Sequence, residues 1–416
     1  MIKRFTLCKN SKKQVYKHID EINHVDLTIS PNIISVVEDI KKNGDRALLK
    51  YTIMFDKAAV KGFKVPLSVI KAAYLKIDQR VLPSIKKTIK NITTFHLKQK
   101  QSIKNYVYQN TGYKIRQKYI PLESAGIYIP GGQAPLFSTV LMAGIPAKVA
   151  GVKNIAIASP PRYEGEVNPY ILVAADMIGI HDIYRMGGAQ AIAAFAFGTE
   201  SVPKVGKVVG PGNIYSTMAK KYLFGAIDID SISGPSEITI IADETANERF
   251  MIYDLLAQAE HVNGHALLLT VSKKLADDVE KGVKKSFKNK SFDVTIVTVK
   301  NMDEAIKISN YKAPEHLLVV AKNKEKILSK ITNAGAIFAG NYSAVAFGDY
   351  IAGANHILPT NGTAKFFSAL SVHEFIKHTH IVECTPVAIK TFGKDVEIMA
   401  GFEKLEYHRN SIRVRR

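Results

Sequence analysis

The residues of this chain best suited to chemistry are Gln258 and His261, in the run Gln-Ala-Glu-His at the end of an expected helix. Spaced three apart, they would share one helical face and offer an amide oxygen and an imidazole to the same ion or polar ligand. The chain has only two cysteines, Cys8 and Cys384, so a zinc site would draw on nitrogen and oxygen donors, with a carboxylate and another imidazole from elsewhere. Asp349, in the glycine-interrupted run 348 to 360, is the carboxylate candidate, and His408, in the run 403 to 408, is the imidazole candidate. Glu315 and His316 stand together before the apolar run 317 to 321. An imidazole there can act as a base near neutral pH while the carboxylate handles a second proton, although a polar cap on a strand end explains the same pair.

Two glycine-rich turns follow expected strands and precede expected helices: YIPGGQAP at 128 to 135 and GPGN at 210 to 213. Backbone without side chains can approach a phosphate at such a place, and a tight turn with no ligand fits equally well. Neither is the G-x-G-x-x-G dinucleotide fingerprint, which is absent from the chain. Gln190 opens an alanine-rich helix after Gly187 and Gly188, and Ser236 presents a hydroxyl in the loop 233 to 237; either can serve a ligand or ordinary packing and turn chemistry. His373 and His378 resemble the H-E-x-x-H metal motif with one residue too many, which separates them by roughly 140° on a helix. They, His265 and His380 read as surface residues.

The elements that must position these groups fall into two series. Residues 1 to 105 read as helical, with helices near 30 to 54, 67 to 76 and 82 to 101, and alternation over 106 to 119 predicts a hairpin or crossover. Strands at 125 to 129, 154 to 158, 182 to 185 and 207 to 209 then alternate with helices at 138 to 149, 168 to 178, 189 to 197 and 213 to 224. A second array has strands at 237 to 242, 266 to 271, 294 to 297, 316 to 320 and 336 to 338. Its helices are the Gln258 helix, opened by a Thr245/Glu248 capping box, and those at 273 to 287 and 302 to 310. Two such arrays predict two parallel-sheet lobes, with ligands in a cleft at the carboxyl ends of the strands. Beyond Thr360 the chain reads as helical and polar, a tail that packs on the body or on a partner.

At 416 residues, 46% hydrophobic and 23% charged, the composition is that of a globular protein with more than one domain. No apolar run reaches bilayer length and the N-terminus lacks the core of a signal peptide, which predicts a cytoplasmic protein that does not engage a membrane. The net charge of +20 is uneven: residues 1 to 120 carry 25 basic and 8 acidic side chains. The excess is mostly lysine at ordinary surface spacing, the pattern of a solvated helix face rather than a nucleic-acid surface.

In combination and in order, YIPGGQAPL, RMGGAQAIAA, GPGN, SGPSE, QAEH, PEHL, GDYIAGANHILPT and EKLEYH resemble the motifs of the histidinol dehydrogenase family, from about residue 30 to 408. The resemblance implies two similar, incomplete Rossmann-like parallel-sheet lobes in an intertwined homodimer, with small helical segments at either end. It implies a zinc- and NAD-dependent oxidation of L-histidinol to L-histidine through the aldehyde level, with two hydride transfers. Gln258, His261, Asp349 and His408 would hold zinc and border the substrate, His408 reaching over from the partner subunit. Glu315 and His316 would be the acid/base pair; Tyr128, Gln190 and Asn213 would contact NAD; Ser236, Glu403 and His316 would contact substrate. The implied division is 1–24, an N-terminal helical segment; 25–105, the helical part of the first lobe; 106–236, the NAD-contacting lobe; 237–370, the zinc and acid/base lobe; and 371–416, a dimerisation segment. A related zinc/NAD dehydrogenase acting on another small alcohol, such as a sulfonated diol, is the competing expectation. Two departures lie beside expected ligands: Lys404, where the family usually has a small residue, and Val262-Asn263-Gly264, where an acidic residue and proline are common.

Overall fold

A computed structural model describes all residues except 1, 9, 25–27, 132–134 and 287–291, so the end of the expected 273 to 287 helix and part of the 128 to 135 turn lie outside the described residues. The first sheet has five parallel strands in the order Asp182–Arg185, Asn154–Ser159, Ser124–Tyr128, Lys207–Val209, Asp228–Ile229. Alternation along these strands feeds two cores. Ala125, Ile127, Ile155 and Ile157 face the helices Val81–Ser102, Phe137–Ala150 and Pro169–Met177, while Tyr128, Ala156, Ala158 and Val208 face Pro31–Tyr51, Gly188–Phe197 and Ile214–Leu223. The second sheet has six parallel strands in the order Ile2–Thr6, Asp293–Thr298, His265–Thr270, Glu237–Ala242, His316–Val320, Ala336–Ala339. It too is covered on both faces, which is why its central strands read as continuous apolar runs.

The expectations for the chain ends need correction. The N-terminal segment opens with a strand, Ile2–Thr6, on the edge of the second sheet, paired in parallel with Val294–Thr298. The helix after it, Lys12–Asn23, buries Val15 and Ile19 against that sheet, so the first two dozen residues build the second lobe from the other end of the chain. Residues 106 to 121 belong to neither lobe sheet: Tyr106–Asn110 and Tyr113–Pro121 form an antiparallel sheet with Ile376–Cys384. That last strand lies where a helical tail was expected. The His373 to His378 spacing is therefore read on a 3-10 turn, Val372–Phe375, and a strand, not on a helix. The strand is exposed along most of its length, so no inside/outside alternation marks it in the sequence.

The lysines of the Val81–Ser102 helix lie outward, while Ile85, Thr88, Ile92 and His96 turn inward, a solvated face over a packed stripe as expected. Because Ile19 is 1% exposed, Ile19→Ala should lower the unfolding free energy by about 2–4 kcal/mol. A denaturant melt that does not move would show the N-terminal helix to be an appendage.

Candidate active site

In the second lobe the functional side chains gather at the amino ends of the parallel strands. His316 and Glu237 are the first residues of neighbouring strands, and Glu315 precedes one of them. Reciprocal bonds join them: the Glu237 N–H donates to Glu315 Oε2 (2.8 Å), and the Glu315 N–H donates to Glu237 Oε1 (3.2 Å). His316 Nδ1 lies 3.0 Å from the Glu237 carbonyl oxygen. A carbonyl only accepts, so Nδ1 carries a proton and Nε2 is the nitrogen at which the ring gains or loses one. That Nε2 is buried with no hydrogen-bond partner among the described residues, and Asp349 Oδ1 stands 3.4 Å from it. Burial opposes charge on His316, yet the Glu315 and Asp349 carboxylates outweigh it and push the imidazole up to about 10.

Asp349 is held by His356. The His356 Nδ1 is 2.9 Å from the Asp349 carbonyl, and its Nε2 is 3.4 Å from Thr139 Oγ1 on the first lobe. Burial pushes the His356 pKa down, so the neutral ring donates to the carbonyl and accepts from the threonine, tying the Asp349 loop to the first lobe.

Gln258 is buried near the end of the helix Glu248–Ala259. The helix begins differently from expectation: Asn247 caps it by accepting from the Arg249 and Phe250 N–H groups, while Thr245 bonds Asp243 instead of forming a capping box. His261 lies two residues past the helix and is exposed, in a turn where Asn263 takes a positive φ of 58°. Gly264 closes the turn by donating to the His261 carbonyl (2.8 Å), and His265 N–H then donates to the Ser236 carbonyl (3.1 Å), bringing Ser236 alongside. His265, expected at the surface, is 5% exposed, with its ring 3.1 Å from Asp293.

The expected NAD-contacting residues meet at a cavity of about 680 Å³ in the first lobe, at the carboxyl ends of its strands. Tyr128 ends a strand; its hydroxyl accepts from the Gly188 N–H at 3.1 Å. Gln190 is fully buried, donates to Asp56 Oδ2 (3.2 Å) and leaves its Oε1 with no partner among the described residues. Arg162 pairs with Asp56 at 3.1 Å, partly offsetting the upward push that burial gives that carboxyl. Asn213 lines the cavity while its side-chain oxygen caps the helix Ile214–Leu223. Sequence reasoning missed Asp56, Arg162, Glu237 and the anchoring role of His356. The signal available was a charged residue at an apolar run, as with Asp56 after Ile53-Met54-Phe55.

Glu403 and His408 do not join these groups within one chain. Glu403 ends the helix Pro386–Phe402, His408 is exposed on the helix Glu406–Arg413 that packs against it, and no cluster of three or more His, Cys, Asp and Glu suited to a metal exists among the described residues. Lys404 joins the two helices with φ of 60°, a left-handed conformation that favours glycine, so the departure from a small residue falls at a strained backbone position.

Two parallel α/β lobes, one with a cavity at its carboxyl ends and the other with a buried imidazole between two carboxylates, define an α/β protein equipped for acid/base chemistry. The histidinol dehydrogenase family matches residues 21–416. A histidinol dehydrogenase of Caldanaerobacter subterraneus subsp. tengcongensis is 44% identical, with 100% of this chain and 99% of that protein covered. One of Methanocaldococcus jannaschii is 42% identical, covering 93% and 92%. The crystal structure of histidinol dehydrogenase from Elizabethkingia anophelis matches with a TM-score of 0.91 at 37% identity, covering 99% and 97%. The chain belongs to the histidinol dehydrogenase family, whose members are NAD-dependent, zinc-binding oxidoreductases of histidine biosynthesis.

A Cβ at position 264 would stand 2.2 Å from the Gln258 carbonyl oxygen. Gly264→Ala should therefore displace the Gln258 to His261 turn and lower stability by about 1–3 kcal/mol. Unchanged melting would contradict this geometry.

Proposed function

We propose that this chain oxidises L-histidinol to L-histidine with two NAD, through the aldehyde level. The observation that carries this reading is the His316 geometry: Nδ1 is committed to the Glu237 carbonyl, which leaves the buried Nε2 as the nitrogen that exchanges a proton. Hydride leaves the carbinol carbon for NAD only as the hydroxyl proton is taken, and His316 Nε2 takes it. The aldehyde then adds water, Glu315 receiving a proton from that water, and a second hydride leaves to a second NAD. Oxygen balance holds, since the added water supplies the second carboxylate oxygen. Tyr128, Gln190 and Asn213 line the first-lobe cavity and hold NAD there, the unpaired Gln190 Oε1 offering an acceptor to a ribose or amide donor.

The donor set fits zinc. Asp349 lies beside an unpartnered ring nitrogen, Gln258 is a buried amide, and His261 borders the same turn. With His408 of the partner subunit these would complete the site, and zinc bound there supplies a template that orients the imidazole and amine of the substrate. Ser236 and Glu403 flank that substrate. We propose an intertwined homodimer because the terminal helices leave Met399, Phe402 and Tyr407 at 66%, 87% and 87% exposure, an apolar face that a second copy would cover. We propose the cytoplasm as the compartment of this biosynthetic enzyme.

The purified protein should form about two NADH per histidinol, lose activity to a chelator and regain it with zinc. No NADH from a folded, zinc-loaded dimer would leave another small alcohol as substrate. His316→Ala should reduce kcat roughly 10²–10⁴-fold at unchanged zinc content; lost zinc would refute its role as base. Shared sites predict complementation: co-expressed His316→Ala and His408→Ala chains, each inactive alone, should recover up to about a quarter of parental activity, because half the dimers are mixed and each has one intact site. No recovery would place both histidines in one chain's site.

The His316 pKa also has a sign. In the metal-free protein its raised value gives stability that is complete below the ordinary 6.5 and is lost as pH climbs to about 10. A divalent cation on Asp349 offsets one carboxylate that holds the proton, so zinc binding near pH 7.5 should release protons, read by calorimetry in buffers of different ionisation heat. A buffer-independent heat would contradict it.

A further inference from the structure

Behind the acid/base pair is a buried ion pair that the reaction does not use. Lys312 is 0% exposed and Glu237 3%; the Lys312 ammonium meets Glu237 Oε2 and also Asn23 Oδ1 at 3.3 Å. The other Glu237 oxygen, Oε1, accepts the Glu315 N–H at 3.2 Å. Its backbone N–H and C=O hold Glu315 Oε2 and His316 Nδ1. Between Lys312, the last residue of the helix Met302–Lys312, and Glu315 the chain passes through Ala313 at φ of 52°. A left-handed alanine is strained and persists only where its surroundings hold it. The holds are on both sides: Asn23 Nδ2 donates to the Lys312 carbonyl at 3.0 Å, the Ala313 N–H donates to Ser309 O at 2.8 Å, and Glu315 is bonded to Glu237. For stability alone an apolar pair of similar volume would serve as well as a buried ion pair, so the retained charges point to a geometric role.

We propose that Glu237 and Lys312 are positioning residues: their ion pair fixes the strained 312–315 turn so that Glu315 and His316 are presented together at the amino ends of the strands. The proposal rests on the reading of those two residues as the acid/base pair. Neither Glu237 nor Lys312 touches substrate in this account, so removing the pair changes kcat and leaves both KM values alone.

The test compares Lys312→Met with the double variant Glu237→Leu/Lys312→Met, which leaves no unpaired buried charge and is expected to fold. In the zinc-loaded dimers, kcat per zinc-containing site should fall at least about tenfold in both, with KM for histidinol and NAD within about twofold of the parent. A folded double variant with parental kcat per zinc site overturns the proposal, as does a loss confined to folded yield. Nitrogen-15 NMR of the histidine rings gives a readout independent of turnover. The His316 Nδ1–H signal, assigned by its loss in His316→Gln, should be sharp in the parent and shifted or exchange-broadened in both variants; an unmoved signal overturns the proposal. If the parent does not oxidise histidinol while the signal behaves as expected, the substrate assignment falls and the positioning role stands.

Discussion

The buried His316 ring can exchange a proton at only one nitrogen, because the backbone carbonyl of Glu237 engages the other. That carbonyl is in place because the strands Glu237–Ala242 and His316–Val320 pair in parallel with His316 opposite Ile238. A slip of one residue would turn His316 to the other face of the sheet and lose the bond. The register is in turn pinned by apolar side chains on both faces, Ile238, Ile240 and Leu318 on one and Ile241, Leu317 and Val319 on the other. The ring orientation thus depends on the packing of the whole second lobe.

The two lobes use opposite ends of their sheets. In the first, Tyr128, Gln190 and Asn213 follow strands, as is usual for ligands of open α/β sheets. In the second, Ser236, Glu315 and His316 precede or begin strands, against that expectation. The reason is local: the groups that hold the imidazole and carboxylate are the first N–H and C=O of the Glu237 strand, which the sheet ladder leaves available at its edge. Thr139 and His356 then link the Asp349 loop to the first lobe.

Three charge pairs stand at these places: Asp56 with Arg162 braces Gln190, Lys220 with Asp230 braces the Gly210 turn, and Lys312 with Glu237 braces Glu315 and His316. The Lys220–Asp230 and Lys312–Glu237 pairs are buried and carry a desolvation penalty that an apolar contact would avoid. The lysines of the Val81–Ser102 helix, by contrast, remain in water, and the large net charge reflects such surfaces more than any site.

Both α/β arrays and nearly every strand of the two lobes were legible in the sequence, because strands buried on both faces read as apolar runs and the helices between them carry their own period. The residues Tyr128, Gln190, Asn213, Gln258, Asp349 and the Glu315/His316 pair were singled out through the family's motifs, as expectations. Tertiary structure decided what has no local signature. Ile2–Thr6 joins strands nearly three hundred residues away, and Ile376–Cys384 is exposed on both sides, so neither carries a pattern of its own. His265 looked like a surface residue until a neighbouring strand covered it. Which nitrogen of His316 is free, and that Glu237 and Lys312 stand behind it, follows from contacts between segments some 75 residues apart. Sequence specifies which groups are present and the period on which they repeat; only the packed sheet fixes their distances, since hydrogen bonds and charge pairs at 3 Å depend on a register that local patterning does not encode.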